Sequence, residues 1–205
     1  MQRRVQRYGL VPYVVLSGLV LAAAAWPKWP DSASSDVQFA RDMSAHHTQA
    51  VTMSVTLLKR AADPAVKLLA QDIALTQQAQ IGQMSGWLMA WGHPISGSEA
   101  PMAGMNPKEM GLATPDEVRQ LNSLPVALAE RQYLTLMRAH HRGGVAMAQS
   151  ALNSVERPEV RAFAERTVVA QTSELRAIDA LLAQRGQPPA PLPGDTAPME
   201  PMNHE

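Results

Sequence analysis

Apolar residues, with a few polar ones among them, recur at steps of three and four along two stretches in the first half of the chain. The first stretch comprises Phe39, Met43, His46, Ala50, Met53 and Leu57, and the second comprises Val66, Leu69, Ile73, Gln77, Ile81, Met84 and Leu88. This spacing places each set on one face of an α-helix. Between the stretches, Asp63 followed by Pro64 has the composition of an N-cap and a first-turn proline. The pattern therefore predicts a helical hairpin with its break at Asp63–Pro64.

The second half of the chain repeats this pattern. Residues 39–53 align without a gap to residues 133–147, and the identical pairs are Met43/Met137, Ala45/Ala139, His46/His140, His47/His141, Val51/Val145 and Met53/Met147. The correspondence continues past the break, where Pro64 matches Pro158 and Gln77 matches Gln171. Because a single amphipathic hairpin leaves its apolar stripe exposed, two tandem hairpins are expected to pack together. The sequence thus predicts an all-α protein, a four-helix bundle, with repeat units at residues 36–92 and 115–185.

Residues 93–114 connect the two units and are too rich in Gly, Pro and Ser to form a helix of any length. They carry three methionines, Met102, Met105 and Met110, which are hard to explain as core residues of a non-helical segment. We interpret this Met-rich linker either as a plain connection or as a lid or loading strand for a metal ion. At its end, Thr114 and Glu117 predict a capping box for a helix that leads into the second unit.

Both ends of the chain differ from the predicted bundle in composition. Arg3, Arg4 and Arg7 precede an apolar run that ends near Trp26, which is the order of charge and hydrophobicity in an export signal. Residues 1–30 are therefore predicted to be a signal peptide or an uncleaved membrane anchor, since the run is about long enough to span a bilayer. We favour the anchor because Trp26 and Trp29, followed by Pro30, resemble the aromatic belt at a membrane interface. The working domain is then extracytoplasmic, either periplasmic or extracellular. Residues 186–205 are rich in proline and are predicted to be a disordered tail.

The composition limits the classes of function. With 46% apolar residues in a chain of 205 and a formal net charge of zero, the protein suits one domain of modest size and has no basic surface for nucleic acid. Cysteine is absent, which excludes a disulfide, a thiolate nucleophile and a zinc finger. Any site for a soft metal must therefore use methionine and histidine.

Candidate metal ligands are concentrated in the repeated motif. They are Met43, His46, His47 and Met53 in the first unit and Met137, His140, His141 and Met147 in the second, and each set falls within an arc of about 120° on its helix. Side chains three and four residues apart on a helix can reach the same ion. Thioether sulfur binds Cu(I) far better than Mg²⁺ or Ca²⁺, and imidazole binds Cu(I), Cu(II) and Zn²⁺. The motif therefore indicates copper, with Cu(I) as the favoured ion and Cu(II) as the alternative.

These residues also have a structural interpretation. A buried histidine is often a hydrogen-bonded core residue, and methionine fills irregular helical cores. Met84 lies in a stripe with Trp87 and is either a further ligand or a core residue. Catalytic patterns are missing, since the sequence contains no E-x-x-H, H-E-x-x-H or G-x-S-x-G and no Gly-rich phosphate loop. We therefore expect a protein that is not an enzyme.

The motifs resemble those of a known family. F-x-x-x-M-x-x-H-H-x-x-A-V-x-M, the later M-A-G-M and a second Y-x-x-x-M-x-x-H-H-x-x-G-V-x-M resemble the DUF305 family over about residues 36–185. The resemblance implies a ferritin-like four-helix bundle that is exported or membrane-anchored. For the copper-binding members it implies Met/His copper sites, which here fall on the eight residues of the repeated motif, with Met84 as an additional candidate.

Three hypotheses for function follow. The first is an extracytoplasmic copper-binding protein that sequesters copper or hands it on, with the copper ion and the membrane as its partners. The second is a helical module that binds a protein partner and keeps the histidines as core residues. The third is a ferritin-like metal oxidase, which we rank last because the carboxylate ligands of such sites are missing from the motif.

Overall fold

The computed structural model describes residues 29–187, which form five helices. The helices are α1 (Ser35–Leu58), α2 (Pro64–Ala90), α3 (Pro115–Ser123), α4 (Val126–Ala151) and α5 (Pro158–Ala183). No β-strand occurs among the described residues. The four long helices are those expected from the two repeat units, so the predicted all-α bundle of two tandem hairpins is confirmed.

Local sequence signals set the starts of the helices. The Asp63 carboxylate accepts hydrogen bonds from two backbone N–H groups of the first turn of α2, at 2.8 and 3.4 Å, and Pro64 occupies that turn. Thr114 and Glu117 form the predicted capping box at α3, in which each side chain accepts a hydrogen bond from the backbone N–H of the other. Such caps satisfy donors that have no partner within the helix.

The helix that starts at the capping box is short. It ends at Ser123, before the second histidine motif, because Leu124 adopts an extended conformation (φ −65°, ψ 153°) in front of Pro125. A proline disfavours the helical conformation of the residue that precedes it. α4 begins after this break at Val126, and the histidines of the second motif lie in its interior.

Two buried clusters of apolar side chains form the core. The first, which we call the Met43 cluster, includes Phe39, Met43, Met84, Trp91, Met147 and Phe163. The second, which we call the Met53 cluster, includes Met53, Leu57, Ile73, Tyr133, Met137 and Ile178. Met43 of α1 thus lies with Met147 of α4, and Met53 lies with Met137. This pairing requires α1 and α4 to cross in opposite directions, with the histidines of both helices between the two clusters.

Two equivalent acids hold the repeat units together. At the start of α1, the buried Asp36 carboxylate accepts hydrogen bonds from the backbone N–H groups of residues 156–157 at 3.3 and 3.0 Å, in the turn before α5. At the equivalent position of α4, the buried Glu130 carboxylate accepts from the N–H groups of residues 62–63, both at 2.8 Å, in the turn before α2. Each unit therefore binds the interhelical turn of the other.

The predictions for the two ends of the chain fall mostly outside the described residues. Residues 1–28, which carry the predicted signal or anchor, and residues 188–205 of the predicted tail are not among them. Within residues 29–187, none of the helices is long and apolar enough to cross a membrane. The anchor and the tail therefore stay predictions from the sequence.

Candidate metal centre

The four histidines of the repeated motifs meet in the middle of the bundle. The rings of His46 on α1 and His140 on α4 face each other with centroids 3.7 Å apart and planes inclined by 31°. The ring of His47 lies 6.4 Å from that of His46, and the ring of His141 lies 6.1 Å from that of His140. All four side chains are completely buried. The crossing of α1 and α4 thus forms one histidine layer from two distant parts of the sequence.

Backbone carbonyls fix the tautomers of the two central rings. His46 Nε2 donates to the carbonyl oxygen of Met110 at 2.9 Å, and His140 Nε2 donates to the carbonyl oxygen of His46 at 2.9 Å. Because a carbonyl only accepts hydrogen bonds, the proton of each neutral ring is on Nε2. The Nδ1 atoms are then unprotonated, and both are buried without a hydrogen-bond partner in the described part of the chain. Each central ring therefore has a lone pair that a metal ion can use.

The two outer histidines differ from each other. His141 Nε2 donates to a carboxylate oxygen of Glu174 on α5 at 2.6 Å, and its Nδ1 has no partner among residues 29–187. Metal-binding histidines commonly have such a carboxylate on their second nitrogen. In the first unit the equivalent of Glu174 is Gln80, which lies beside His47, but neither ring nitrogen of His47 forms a hydrogen bond of normal geometry with the described residues. The second unit is therefore better equipped to orient its outer histidine.

Burial keeps His46, His47 and His140 neutral. Loss of hydration lowers the pKa of His46 to about 4 and that of His47 to about 3, and the neighbouring histidines add to the effect. The same two causes lower the pKa of His140 well below its ordinary value. The hydrogen bonds that His46 and His140 donate to carbonyls oppose this change in pKa but do not outweigh it. At neutral pH, the three rings are therefore unprotonated bases.

The methionine candidates divide between the two core clusters. Met43, Met84 and Met147 belong to the Met43 cluster, whereas Met53 and Met137 belong to the Met53 cluster. In each motif the histidines follow one methionine and precede the other, so the two groups of thioethers lie on opposite sides of the histidine layer. A single ion therefore cannot contact all of the ligands that the sequence suggested.

Histidines and carboxylates alone do not form a metal site here. No group of three or more His, Asp or Glu side chains within residues 29–187 is placed to hold a metal ion. A site that also used the neighbouring methionines would combine imidazole nitrogen with thioether sulfur. Such a mixed donor set suits a soft ion such as Cu(I) and is unsuited to Mg²⁺ or Ca²⁺. The buried Nδ1 lone pairs and the thioethers on either side of them are consistent with that ion.

The Met-rich linker covers the histidine layer. Gly111 of the linker, with φ 66°, lies so close to α4 that a Cβ atom would overlap with the backbone of Ala139. A Cβ atom on Gly143 of α4 would in turn overlap with the carbonyl group of Met110. Glycine at both positions therefore allows the two backbones to touch. This contact places the Met110 carbonyl within hydrogen-bond distance of His46.

A glutamine holds the end of the linker on the other helix. The side-chain amide of Gln49 on α1 donates to the carbonyl oxygen of Ala113 at 2.8 Å and accepts from its N–H at 2.7 Å. Gln49 occupies in the first unit the position that Gly143 occupies in the second. The same place in the repeat thus contacts the linker through hydrogen bonds in one unit and through close backbone packing in the other.

Several buried polar groups of the bundle were not singled out from the sequence. The amides of Gln77 and Gln171 are buried in the bundle without hydrogen-bond partners in the described part of the chain. The sequence could have identified both, since they are polar residues at equivalent positions of two otherwise apolar stripes. The contribution of the Met110 carbonyl has no signal in the sequence, because every residue carries this group.

The residues around the centre match the predictions from the sequence in part. The linker is non-helical as expected, with Met102 and Met110 packed against the Met43 cluster and Met105 exposed at 40%. Trp87 also packs against this cluster. His93, which follows α2, is partly buried, and its Nε2 lies 2.8 Å from the carbonyl oxygen of residue 30. The linker is thus positioned as a lid, and its role in metal binding stays a prediction.

Fold and centre together define a class of helical bundle in which two tandem hairpins enclose a layer of histidines flanked by methionines. Residues 36–182 match the family described as Domain of unknown function (DUF305). The chain belongs to this family, as its motifs indicated.

Three relatives illustrate the similarity. The crystal structure of a DUF305 protein from Streptomyces coelicolor, assigned as secreted, is 42% identical with a TM-score of 0.72, and the match covers 78% of this chain and 99% of that one. A protein of Acanthamoeba polyphaga mimivirus is 42% identical over 53 residues, which make up 26% of this chain and 35% of that protein. CopM in its Cu(I)-bound form is 24% identical with a TM-score of 0.61, over 74% of this chain and 98% of CopM. CopM has also been solved in Cu(II)-bound and silver-bound forms.

Proposed function

We propose that this protein binds copper outside the cytoplasm, preferring Cu(I) to Cu(II), and sequesters the ion or passes it on. The observation that carries the proposal is the buried layer of four histidines with free Nδ1 atoms between two groups of thioethers. CopM shares the fold and has been crystallised with copper and with silver, which supports the same choice of ion. Binding rather than catalysis is proposed because the repeated motif lacks the carboxylate ligands of a ferritin-like oxidase.

The preference for Cu(I) follows from charge as well as from ligand softness. Thioethers and neutral imidazoles carry no charge, so an ion held by them brings its full charge into the core. Burial of an uncompensated charge is costly, and a monovalent ion is therefore easier to accommodate than a divalent one. Met43, Met84 and Met147 are the proposed thioether ligands on one side of the histidines. Met53 and Met137 are the candidates on the other side.

The proposed location rests on two observations. The first residues of the chain have the order of charges and apolar residues found in export signals. Such a signal is either cleaved after export or retained as a membrane anchor. The relative from Streptomyces coelicolor is assigned as secreted. In an oxidising compartment exposed cysteines tend to be oxidised, so methionine is the more durable soft ligand. The absence of cysteine agrees with this environment.

A competition titration with a chromogenic Cu(I) chelator tests the proposal. The variant carrying Met43→Leu, Met84→Leu and Met147→Leu removes three thioethers while nearly conserving side-chain volume. The matched control is Met89→Leu, because Met89 is 63% exposed on α2 and belongs to neither core cluster. We expect the affinity for Cu(I) to fall at least about 100-fold in the triple variant and to stay within about twofold in the control. Unchanged affinity in a triple variant with native circular dichroism refutes ligation by Met43, Met84 and Met147.

A different observation favours a second function. The Nε2 atoms of His46 and His140 bind the linker and α1 to the rest of the bundle, as structural histidines do. On this basis the protein is a helical module that binds a protein partner. The two functions differ in a thermal scan with Ag(I), since a ligand that binds the native state raises the melting temperature. A clear increase supports the metal-binding function, and an unchanged melting temperature supports the partner-binding module.

A further inference from the structure

A methionine-lined cleft lies beside the histidine layer. It has a volume of about 540 Å³ and is enclosed by the first half of α1, the linker and the last part of α4. Phe39, Met105, Met110 and Met147 are among its lining residues. Three methionines from two separate elements of the chain therefore line one cleft.

These methionines become more buried towards the core. Met105 is 40% exposed, Met110 is partly buried and Met147 is only 7% exposed. Met147 and Met110 pack in the same cluster as the fully buried Met43. The thioethers thus form a series from solvent to the proposed ligands.

The charge of the cleft favours a cation. Asp42 is the sole ionisable residue among the described residues that line it, and no cationic side chain lines it. Arg41, the neighbour of Asp42, directs its guanidinium to the carbonyl oxygens of Ser32 and Pro94, away from the cleft. The Asp42 carboxylate also accepts the N–H of Met102 at 2.7 Å, which holds the linker on α1. A negative charge near three thioethers suits a soft cation.

The neighbouring cleft has a different chemistry. It has a volume of about 380 Å³ and also includes Asp42, but it is lined by Arg41 and Glu99 and by none of the methionines within residues 29–187. A soft monovalent cation therefore has ligands in the methionine-lined cleft and none of comparable softness in its neighbour.

We propose that the methionine-lined cleft is the entrance through which Cu(I) reaches the buried ligands, with Met105 and Met110 as its first ligands and Met147 as the next. The inference rests on the proposed copper function and adds the route of the ion. On entry a Cu–S bond forms while a bond from copper to its donor breaks, and at each later step one Cu–S bond replaces another, so copper stays Cu(I) throughout. Met110 connects the cleft to the centre, because its side chain lines the cleft and its carbonyl binds His46.

Rates of Cu(I) capture by the full protein test the entrance. Cu(I) is supplied as its complex with a chromogenic chelator and followed by stopped flow. The double variant Met105→Leu, Met110→Leu keeps the Met110 carbonyl and the apolar volume but removes two thioethers, and Met89→Leu is the control. We expect capture by the double variant to be at least about tenfold slower, with an equilibrium affinity within about twofold of the wild type. The control should match the wild type in both quantities.

The outcomes separate the entrance from the function it serves. If the double variant captures Cu(I) at the wild-type rate, the cleft is not the entrance. Equal losses of rate and affinity also refute the proposal, since Met105 and Met110 would then be ligands of the tight site. If the wild type itself does not capture Cu(I) from the chelator, the proposed function fails. In that case, NMR of protein labelled at the methionine methyl carbons and titrated with Ag(I) tests whether the cleft binds a soft cation. Resonances of Met105 and Met110 that shift with Ag(I) support a soft-cation site in the cleft, and unshifted resonances overturn it.

Discussion

Replacement of Gly143 with alanine tests whether the linker lies in direct contact with α4. At an unhindered position in a helix this change stabilises the protein by about 1 kcal/mol, because alanine has the higher helix propensity. At Gly143 the added Cβ atom would overlap with the carbonyl group of Met110. The overlapping atoms belong to the backbone and cannot rotate away as a side chain can, so the linker must move off the helix.

The cost of this movement follows from what the contact holds in place. Displacement of the Met110 carbonyl leaves His46 Nε2 buried without its acceptor, which costs about 1–3 kcal/mol. Reduced packing of the Met110 side chain against the Met43 cluster adds roughly 1 kcal/mol. The gain in helix propensity offsets about 1 kcal/mol. We therefore expect Gly143→Ala to lower the free energy of unfolding by about 1–3 kcal/mol.

Gly82→Ala on α2 is the matched control, because a Cβ atom on Gly82 has no other atom within 4 Å. This variant should raise the free energy of unfolding by about 0.5–1 kcal/mol. Urea unfolding followed by circular dichroism measures both changes, and the two variants should shift the midpoint in opposite directions. A Gly143→Ala protein that is as stable as the Gly82→Ala protein would refute the contact between the linker and α4.

Three other changes examine the histidine layer and the contact between the units. Because folding lowers the pKa of His46 to about 4 and of His47 to about 3, their contribution to stability is complete above their unfolded pKa of about 6.5 and decreases as the pH falls below it. Urea titrations should show a loss approaching roughly 3 kcal/mol per pH unit near pH 5, and a flat profile would contradict neutral buried rings. Asp36→Ala leaves two backbone N–H groups unpaired between the units, so the free energy of unfolding should fall by about 2–4 kcal/mol, and a change below about 0.5 kcal/mol would show that water replaces the carboxylate. Gln80→Glu gives His47 the kind of carboxylate partner that the second unit has, so NMR titration should show the pKa of His47 rising from about 3, whereas an unchanged pKa would place residue 80 out of contact with the ring.

The long helices could be predicted because their signals are local. Spacing of apolar residues, Asp63 before Pro64 and the capping box at Thr114 all act within a few residues of each other. The relative direction of α1 and α4 is not a local property. The repeat shows that the motifs are equivalent, but it does not show that Met43 shares a cluster with Met147 rather than with Met137. The sequence therefore predicted the set of candidate ligands without their division into two groups.

The hydrogen bonds of the histidine layer could not be predicted from the sequence. Backbone carbonyls bind Nε2 of the two central histidines, and a carbonyl has no residue type that marks it in a sequence. The contact that brings one of these carbonyls to His46 depends on Gly111 and Gly143, which come from separate segments. Nothing in the sequence around either glycine indicates that these two segments meet.

A single linker necessarily makes two equivalent units unequal. In the first unit, His46 binds the Met110 carbonyl and Gln49 binds the backbone of Ala113, so this unit receives the linker through hydrogen bonds. In the second unit, Ala139 and Gly143 meet the same linker through close backbone packing. One histidine layer thus has two different faces, although the motifs that form it are nearly identical.

This inequality bears on how the two groups of thioethers behave. The Met43 cluster adjoins the linker and the methionine-lined cleft, where partly exposed methionines lead inward. The Met53 cluster contains the fully buried Tyr133, whose hydroxyl group lies 2.9 Å from that of the buried Ser54 on α1. An ion that enters through the proposed cleft therefore meets the Met43 side first and must pass the histidine layer to reach Met53 and Met137. Exchange of Cu(I) with solvent should accordingly be faster on the Met43 side than on the Met53 side.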